Sequence, residues 1–439
     1  MRSRPRATRS ATAQPSRARA GRSDRRPGRR DPLRWARRAL LPWAGRLAVL
    51  LGLALVAAWA AGRALNDERL WSQWLWWLPT LAVAAAAALA AAFSRACEAL
   101  GLRLAGASGR PLLLAAAVAL LGWWAIAEAR LPRLFTSGPR TARPTLSVGY
   151  WNLSWSRGDA RAGGPGFAAD VLIAANPRPG EGRRQLIESL LARQRAAGDD
   201  PGPDQRAVHL VGVLGGSVVA SRDPILRAGE AWSEALPGAW TASRNGAAQN
   251  GVAFVTLDTT DRLGRETTIW IVDAPSDPFV ARDRIMGALA RSVRGWNGPV
   301  RAPDALGRWG RLEPDTAGFP APDLIIGDFN ATRGSRSIRR LVGDRAESHA
   351  AVGIGPDRTF HTLLPLWAID LAYAGDGWRW VRSATLTVGG PHRAVLVEAE
   401  APVPAPSRAQ TAEPDAASSE PKPEPEPGPE PEPEPGGSS

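Results

Sequence analysis

The chain has 439 residues, of which 44% are hydrophobic, so it is long and apolar enough for two or three folded units with real cores. Its net charge of +13 is typical of nucleic-acid-binding proteins, but the basic residues are concentrated near the N-terminus. Residues 146–400 hold 29 basic against 28 acidic residues, so the charge distribution does not indicate specific nucleic-acid binding. The single cysteine, Cys97, excludes an intrachain disulfide.

Residues 1–38 contain 14 arginines, two acidic residues and few apolar side chains. Such a segment cannot bury enough apolar surface to fold. We interpret it as a disordered basic arm on the cytoplasmic side, because a basic block directly before an apolar span is the usual inside anchor. A nucleic-acid-binding arm is the alternative.

Three apolar spans follow at residues 39–61, 74–93 and 111–127. Each is near the length that crosses a hydrocarbon core, which takes about 20 residues. We therefore predict three transmembrane helices over residues 39–128 and a linker over residues 129–145. A buried bundle of a soluble protein is the alternative, but Ala/Leu/Val runs this poor in charge argue against it.

A cleaved signal peptide is a second alternative for the first span, which ends in Ala-Trp-Ala-Ala at Ala61. The length of the preceding arm and the two further spans favour retention of the segment. On the side of the membrane that would hold the arm, arginines outnumber acidic residues. Seven tryptophans fall at the ends of the spans that would lie on the other side of the membrane. Both signals predict a multi-pass protein of the cytoplasmic membrane, in contact with the lipid bilayer, with the N-terminus in the cytoplasm and the C-terminal domain outside.

Residues 146–400 read as one domain in which short apolar strands alternate with amphipathic helices, a pattern that predicts an α/β sandwich. Strands are predicted at 146–151, 171–174, 208–214, 252–256, 268–272, 324–326, 368–373 and 394–397. Helices are predicted at 183–197, 281–296 and 336–342, the last with Ser335 as its N-cap. From residue 401 to 439 the chain is rich in Pro and Glu, which predicts a disordered, extended tail.

The sequence DLIIGDFNATRGSRSIRR (323–340) carries the clearest chemical signal. An apolar run closed by Gly327 predicts a buried strand that delivers Asp328 and Asn330 to its end, with Phe329 on the opposite face. A carboxylate beside an amide can hold a water and a phosphoryl oxygen. An Asx-turn that only ends the strand is the alternative.

Further pieces join this one in a consistent order: LSVGYWN ending in Asn152, VVASRDPI (218–225), GDFNAT (327–332), WAIDLAY with Asp370, and GGPHRAV with His392. Together they resemble the motifs of the endonuclease/exonuclease/phosphatase superfamily over nearly all of residues 146–400. The resemblance implies a four-layer α/β sandwich, two mixed sheets flanked by helices, and metal-assisted phosphoester hydrolysis.

The resemblance also implies roles for the matched residues. His392 would pair with Asp370, which fixes the tautomer of the imidazole and stabilises its charged form. Asp328 would orient or deprotonate the attacking water. Asn330 and Asn152 would bind the phosphate or the groups on the metal. The cofactor implied is Mg²⁺, or Mn²⁺ in its place, with Asp328 and Asn330 among its ligands.

Three positions depart from the motifs of the superfamily. Asn176 replaces the metal-binding glutamate and is a weaker ligand for a hard cation. Pro391 replaces an aspartate ligand, and Asp273 replaces a histidine that contacts phosphate. Asp273 could restore a carboxylate pair by approaching Asp328.

Two functions follow from this balance of matches and departures. The first is a membrane-anchored phosphoester hydrolase, of the phosphodiesterase kind, with an altered metal site. The second is a pseudoenzyme that binds a phosphorylated ligand or an envelope partner. The arginines at 333, 336, 339 and 340 would contact phosphate or form an ordinary solvated face.

Overall fold

The structure is a computed structural model that describes residues 32–99, 109–136, 143–154, 169–180, 183–189, 209–232, 250–303, 309–314, 317–362 and 365–403. The predicted arm before residue 32 and the Pro/Glu-rich tail after residue 403 lie outside the described residues. Contacts divide the chain into two compact units, Met1–Ala57 with Val83–Val118, and Ala58–Ala82 with Ala119–Ser439. The domain limits expected from the sequence stay predictions.

Three helices are long and apolar enough to span a membrane, with candidate spans at Trp43–Leu65, Thr80–Ala99 and Gly109–Glu128. They belong to α1 (Pro32–Leu65), α3 (Thr80–Ala99) and α4 (Gly109–Trp123), the last continuing as a π-helical turn to Glu128. In the first unit the helices pack through small residues, with Ala87 and Ala91 buried beside Val49 and Leu113.

The second predicted span begins later than expected. The tryptophan-rich stretch forms a separate short helix, α2 (Leu70–Trp76), and α3 begins only at Thr80, after Pro79. Trp71 and Trp74 are exposed on α2, whereas Trp76 donates its indole N–H to Ser335 of the α/β part at 3.0 Å. The tryptophans of this stretch are therefore divided between an exposed face and a contact with the α/β part.

The α/β part contains two mixed sheets within the described residues. The first has the order β13-β14-β1-β2-β4-β3 and the second β11-β12-β10-β7-β6-β5-β8-β9. The first sheet comprises β1 (Thr145–Asn152), β2 (Val171–Ala175), β3 (His209–Val213), β4 (Ser217–Ser221), β13 (Arg379–Leu386) and β14 (Ala394–Glu400). The second comprises β5 (Ile225–Trp232), β6 (Gly251–Thr259), β7 (Arg265–Asp273), β8 (Pro299–Pro303), β9 (Trp309–Pro314), β10 (Leu324–Asp328), β11 (Ala346–Glu347) and β12 (Asp370–Ala374).

The sheets pack face to face, because one buried cluster contains Val148 and Ile173 of the first sheet together with Ile271 and Ile326 of the second. Helices cover both outer faces. The outer face of the first sheet buries Leu186 of α5 (residues 183–189), and a short helix, α6 (Thr260–Leu263), joins β6 to β7. The outer face of the second sheet buries α7 (Arg282–Arg294) and α8 (Arg339–Val342). The predicted four-layer α/β sandwich is confirmed.

The predicted helix at 336–342 is wrong in its start. It begins at Arg339, its N-cap position is Ile338, and Ser335 does not cap it. Ser335 and its neighbours instead bind the loop between α1 and α2. The amide of Asn66 donates to the Gly334 carbonyl at 3.1 Å and its oxygen accepts from Arg336 N at 2.8 Å. Asp67 accepts from both the backbone N and the hydroxyl of Ser337.

Further contacts tie α2 to the α/β part. Gln73 donates to the Pro278 carbonyl at 3.1 Å and accepts from Arg282 N at 2.8 Å. The carbonyl of Trp77 accepts from the Trp367 indole at 2.9 Å. We call residues 66–77, with these contacts, the seat. The seat joins the chain between α1 and α3 to the α/β part.

A second junction involves α9 (Ser348–Val352), whose last carbonyls accept from the Arg133 guanidinium, including that of His349 at 3.0 Å. His349 is buried. Burial, helped by the neighbouring Arg333 guanidinium, lowers the pKa of His349 from 6.5 to about 3. The folded protein therefore keeps this imidazole neutral at pH values where the unfolded chain protonates it.

We expect acid to destabilise the fold through His349. Between pH 6.5 and about 3, His349 is protonated in the unfolded state and neutral in the folded state. The free energy of unfolding therefore falls as pH falls, with a slope of up to ~1.4 kcal/mol per pH unit. His349→Gln should remove this slope. Urea unfolding of both proteins in detergent, from pH 7 to pH 4, measures it. A constant difference between the two proteins across this range would contradict the prediction.

Candidate functional site

Three aspartates lie side by side at one edge of the second sheet. Asp328 ends β10 and is in register with Asp273 on β7 and with Asp370 on β12. Along its strand, each aspartate lies an even number of positions from the residues that face the core between the sheets. Because side chains alternate along a strand, all three aspartates face the gap between the sheets. All three are buried. Asn152, at the end of β1, reaches the same gap from the first sheet.

Gly327 allows β10 and β7 to approach closely, since a Cβ at this position would overlap the backbone of Val272. The strand continues through this glycine to Asp328 and does not stop there as expected. Phe329 lies in the outer cluster, opposite Asp328, as the alternation predicted.

Asp328 is held by three groups. Its Oδ2 accepts from the Asn152 amide at 2.8 Å, its Oδ1 accepts from Asn330 N at 2.8 Å, and its own backbone N donates to the Tyr150 hydroxyl at 3.0 Å. The Asn330 contact is the Asx-turn considered as an alternative, and it coexists with the contact to Asn152. Asn330 has a left-handed backbone, with φ of 46°, and its amide donates to the Ala274 carbonyl at 2.8 Å.

His392 and Asp370 form a buried pair. Nδ1 of His392 lies 2.9 Å from Oδ2 of Asp370. The backbone N of Asp370 donates to the Thr359 hydroxyl, and the Phe360 ring lies 4.9 Å from the imidazole. Oδ1 of Asp370 is buried and has no hydrogen-bond partner among the described residues. The pair is thus fixed on one side and offers a free carboxylate oxygen on the other.

Two of the three positions that depart from the superfamily motifs interact with each other. The Asn176 amide donates to Asp273 at 3.2 Å and lies 3.4 Å from the Asn152 oxygen. Pro391 contributes only its carbonyl, which accepts from Thr362 N at 2.8 Å. Asp273 is therefore engaged by Asn176 while it lies in register with Asp328.

Three buried carboxyl groups lie close together at the site and raise one another's pKa values. Burial, together with the Asp370 carboxylate, raises the pKa of Asp328 to about 7. Burial, then Asp328, raises the pKa of Asp273 well above its usual value. Burial alone would lower the pKa of His392, but Asp370, Asp328 and Asp273 raise it to about 9. The imidazole is thus a cation at neutral pH in this structure.

The donor set fits a divalent cation. An oxygen of Asp328 and an oxygen of Asp370 lie within 4.8 Å of each other, and a ring nitrogen of His392 lies within the same distance of both. The protonated imidazole does not itself bind an ion, so the two carboxylates are the candidate ligands. Buried carboxylate oxygens, one of them without a partner, are the ligands that Mg²⁺, Mn²⁺ and Ca²⁺ prefer. Neighbouring buried carboxyl groups favour such an ion.

Two residues at the site were not expected from the sequence. Tyr150 supplies the hydroxyl that accepts from Asp328 N; strand alternation with Asn152 could have indicated it. Arg282 is 1% exposed, donates to the carbonyls of Pro275 and Asp277, and is electrostatically coupled to Asp328. No local pattern distinguishes this arginine from any other at the start of a helix.

The remaining basic and histidine candidates lie elsewhere. Arg333 pairs with Glu347 and Asp357, Arg336 with Glu68, and Arg340 with Asp283. His209 is a half-buried residue on β3, and His361 is exposed. Three of the four arginines are thus engaged by carboxylates.

Comparisons with known proteins find similarity to solved structures in the course of the backbone only. No protein-family model matches the sequence, and no curated protein matches it. A functionally unknown conserved protein from Enterococcus faecalis V583 is 14% identical, with 58% of this chain and 100% of that chain covered and a TM-score of 0.37.

Two further solved structures are similar at the same level. The inositol polyphosphate 5-phosphatase domain of SpSynaptojanin, in complex with inositol (1,4)-bisphosphate and calcium ion, is 11% identical over 62% of this chain and 88% of that chain, with a TM-score of 0.37. ANGEL2, a 2',3'-cyclic phosphatase, is 11% identical over 58% of this chain and 95% of that chain, with a TM-score of 0.35. The chemistry of the site is therefore interpreted from its own residues.

Proposed function

We propose that the chain is a membrane-anchored phosphoester hydrolase of the endonuclease/exonuclease/phosphatase kind. One observation carries this proposal: Asn152, Asp273, Asp328, Asp370 and His392 come from five separated strands and loops and converge at one edge of the two sheets. A packed core gains nothing from several buried carboxylates, because burial of unbalanced charge costs free energy. Their convergence is explained by a ligand or a reaction.

The residues of the chain supply the following roles. Asp328, oriented by Asn152 and Asn330, holds the attacking water and takes one of its protons. The water oxygen forms a bond to phosphorus as the ester P–O bond breaks. His392, held as a cation by Asp370, donates from Nε2 to the phosphoryl or leaving oxygen.

The free Oδ1 of Asp370 and the carboxylate of Asp328 are the groups that would hold a divalent ion. When bound, such an ion polarises a phosphoryl oxygen and offsets the charge of the aspartates. Asn176 and Asp273 are engaged with each other and would contribute less directly.

We further propose that the three spans lie in the cytoplasmic membrane and that the α/β part faces away from the cytoplasm. The excess of arginine before the first span supports this orientation. The seat also supports this proposal, because its hydrogen bonds join the chain between α1 and α3 to the α/β part.

We expect the full-length protein in detergent to hydrolyse bis-p-nitrophenyl phosphate, with activity lost in EDTA and restored by Mg²⁺ or Mn²⁺, because Asp328 and Asp370 need a counter-ion. Release of p-nitrophenol under each condition is the measurement.

A second function, a binding pseudoenzyme, is favoured by one contact. The Asn176 amide binds Asp273, which places two of the departures in a hydrogen bond with each other instead of leaving them open to a ligand. Absence of hydrolysis with every ion, combined with retained binding of phosphate, would establish this alternative in place of the first.

A further inference from the structure

A cavity of about 610 Å³ lies against the outer face of the second sheet. Its floor includes Ile338, Val342 and Tyr373, which belong to the cluster on that outer face. The side chains of Asp328 and Asp370 face the opposite side of the same sheet, so the cavity is separate from the candidate active site. A volume of this size is within the usual range for ligand pockets, about 300–1,000 Å³.

One part of the cavity wall is lined by tryptophans that lie close in sequence to the candidate membrane spans. Trp76 and Trp77 come from the seat, and Trp123 and Trp124 from the end of the third span. Tryptophan is enriched at the level of lipid headgroups, where its ring is partly buried and its N–H reaches water. The cavity is therefore bordered by a surface suited to the membrane interface.

Arginine is abundant in the cavity wall, which includes Arg63, Arg130, Arg333, Arg339, Arg345 and Arg358 against four acidic residues. Glu128 binds both Arg63 and Arg358, and Arg333 pairs with Glu347 and Asp357. Arg130 and Arg339 have no side-chain ion pair within the described ranges. Arg345 has none either, but it donates to the Val342 carbonyl at 2.7 Å. Arg130 and Arg339 are therefore the two guanidinium groups of the wall that have neither a carboxylate nor a carbonyl partner among the described residues.

We propose that this cavity binds the phosphate-bearing headgroup of an anionic phospholipid. Guanidinium groups bind phosphate oxygens through paired, charge-assisted hydrogen bonds, and Arg130 and Arg339 are the available pair. The tryptophan wall would contact the glycerol backbone and the first carbons of the acyl chains. The Arg63 guanidinium, 4.5 Å from the Trp76 ring centroid, keeps this wall ordered. The binding does not depend on hydrolysis at the other site.

The test uses the full-length protein in dodecylmaltoside micelles and measures its melting temperature against added lipid. Phosphatidylglycerol should raise the melting temperature, whereas phosphatidylcholine should not. The double variant Arg130→Gln/Arg339→Gln should weaken the apparent affinity for phosphatidylglycerol at least about tenfold, because two charged contacts are lost. Its hydrolysis of bis-p-nitrophenyl phosphate should stay at the wild-type rate, which separates the two sites.

The matched control is Arg291→Gln/Arg294→Gln, which removes the same charge from the exposed face of α7. Equal weakening in this control would show a general electrostatic effect and would overturn the proposal. So would equal stabilisation by phosphatidylcholine, or saturation by soluble glycerol 1-phosphate at the concentrations where the lipid acts. If the double variant does not fold, Arg339→Gln alone, at an exposed position, should still weaken binding several-fold, and unchanged affinity there would overturn the proposal.

Discussion

Replacing His392 by alanine is expected to lower kcat/KM for bis-p-nitrophenyl phosphate by about 10²- to 10⁴-fold, the usual contribution of a positioned acid or base. The imidazole is buried and lies 2.9 Å from Asp370. Its removal takes away the donor to the phosphoryl or leaving oxygen and leaves Asp370 uncompensated. Initial rates of the full-length protein, with Mg²⁺ at saturation, provide the measurement.

The control for this substitution is His209→Gln on β3, a half-buried histidine of the first sheet outside the site. It should keep the wild-type rate. Asp370→Asn should preserve the shape of the pair but remove its charge, and should lower the rate by a smaller factor than His392→Ala. A wild-type rate in the His392→Ala protein would remove this residue from the mechanism.

Replacing Asp67 by alanine is expected to destabilise the α/β part by roughly 2–3 kcal/mol, because two buried donors of Ser337 lose their acceptor. Asp67 has no exposed surface, and it accepts from both the backbone N and the hydroxyl of that serine. For a unit of this size the melting temperature should fall by about 5–10 °C. Thermal unfolding followed by tryptophan fluorescence in detergent is the measurement.

The adjacent acidic residue gives a matched comparison. Glu68 is exposed and pairs with Arg336 at 2.7 Å, so Glu68→Gln should change the stability by less than about 1 kcal/mol. A melting temperature for Asp67→Ala equal to that of Glu68→Gln would show that the seat does not stabilise the α/β part.

Local patterns predicted an α/β sandwich, whereas the four layers were implied by the resemblance to the superfamily. Alternation correctly placed Phe329 on the face opposite Asp328, because period two is a property of any strand. The glycine at 327 misled the prediction of the strand end, since its role is close approach to Val272 and not a turn. Strand β13 was not predicted, because it contains several polar residues and its burial does not alternate regularly along the strand.

Contacts between distant segments were beyond the reach of sequence patterns. Ser335 has the local features of an N-cap, yet its partner is Trp76, far away along the chain. The three departures were visible as substitutions, but the hydrogen bond that joins Asn176 to Asp273 was not. Arg282 is buried by Gln73 and Trp77, which again come from the other end of the chain.

The hydrogen bonds of the seat act on the segment that directly follows Asp328 and Asn330. In that segment the backbone N–H groups of Arg336 and Ser337 have their acceptors on Asn66 and Asp67, which are far away in the sequence. Residues 66–77 thus belong to the same compact unit as the α/β part, although in the sequence they lie between two apolar helices. A fragment of the chain that begins at residue 146 would lack these two acceptors.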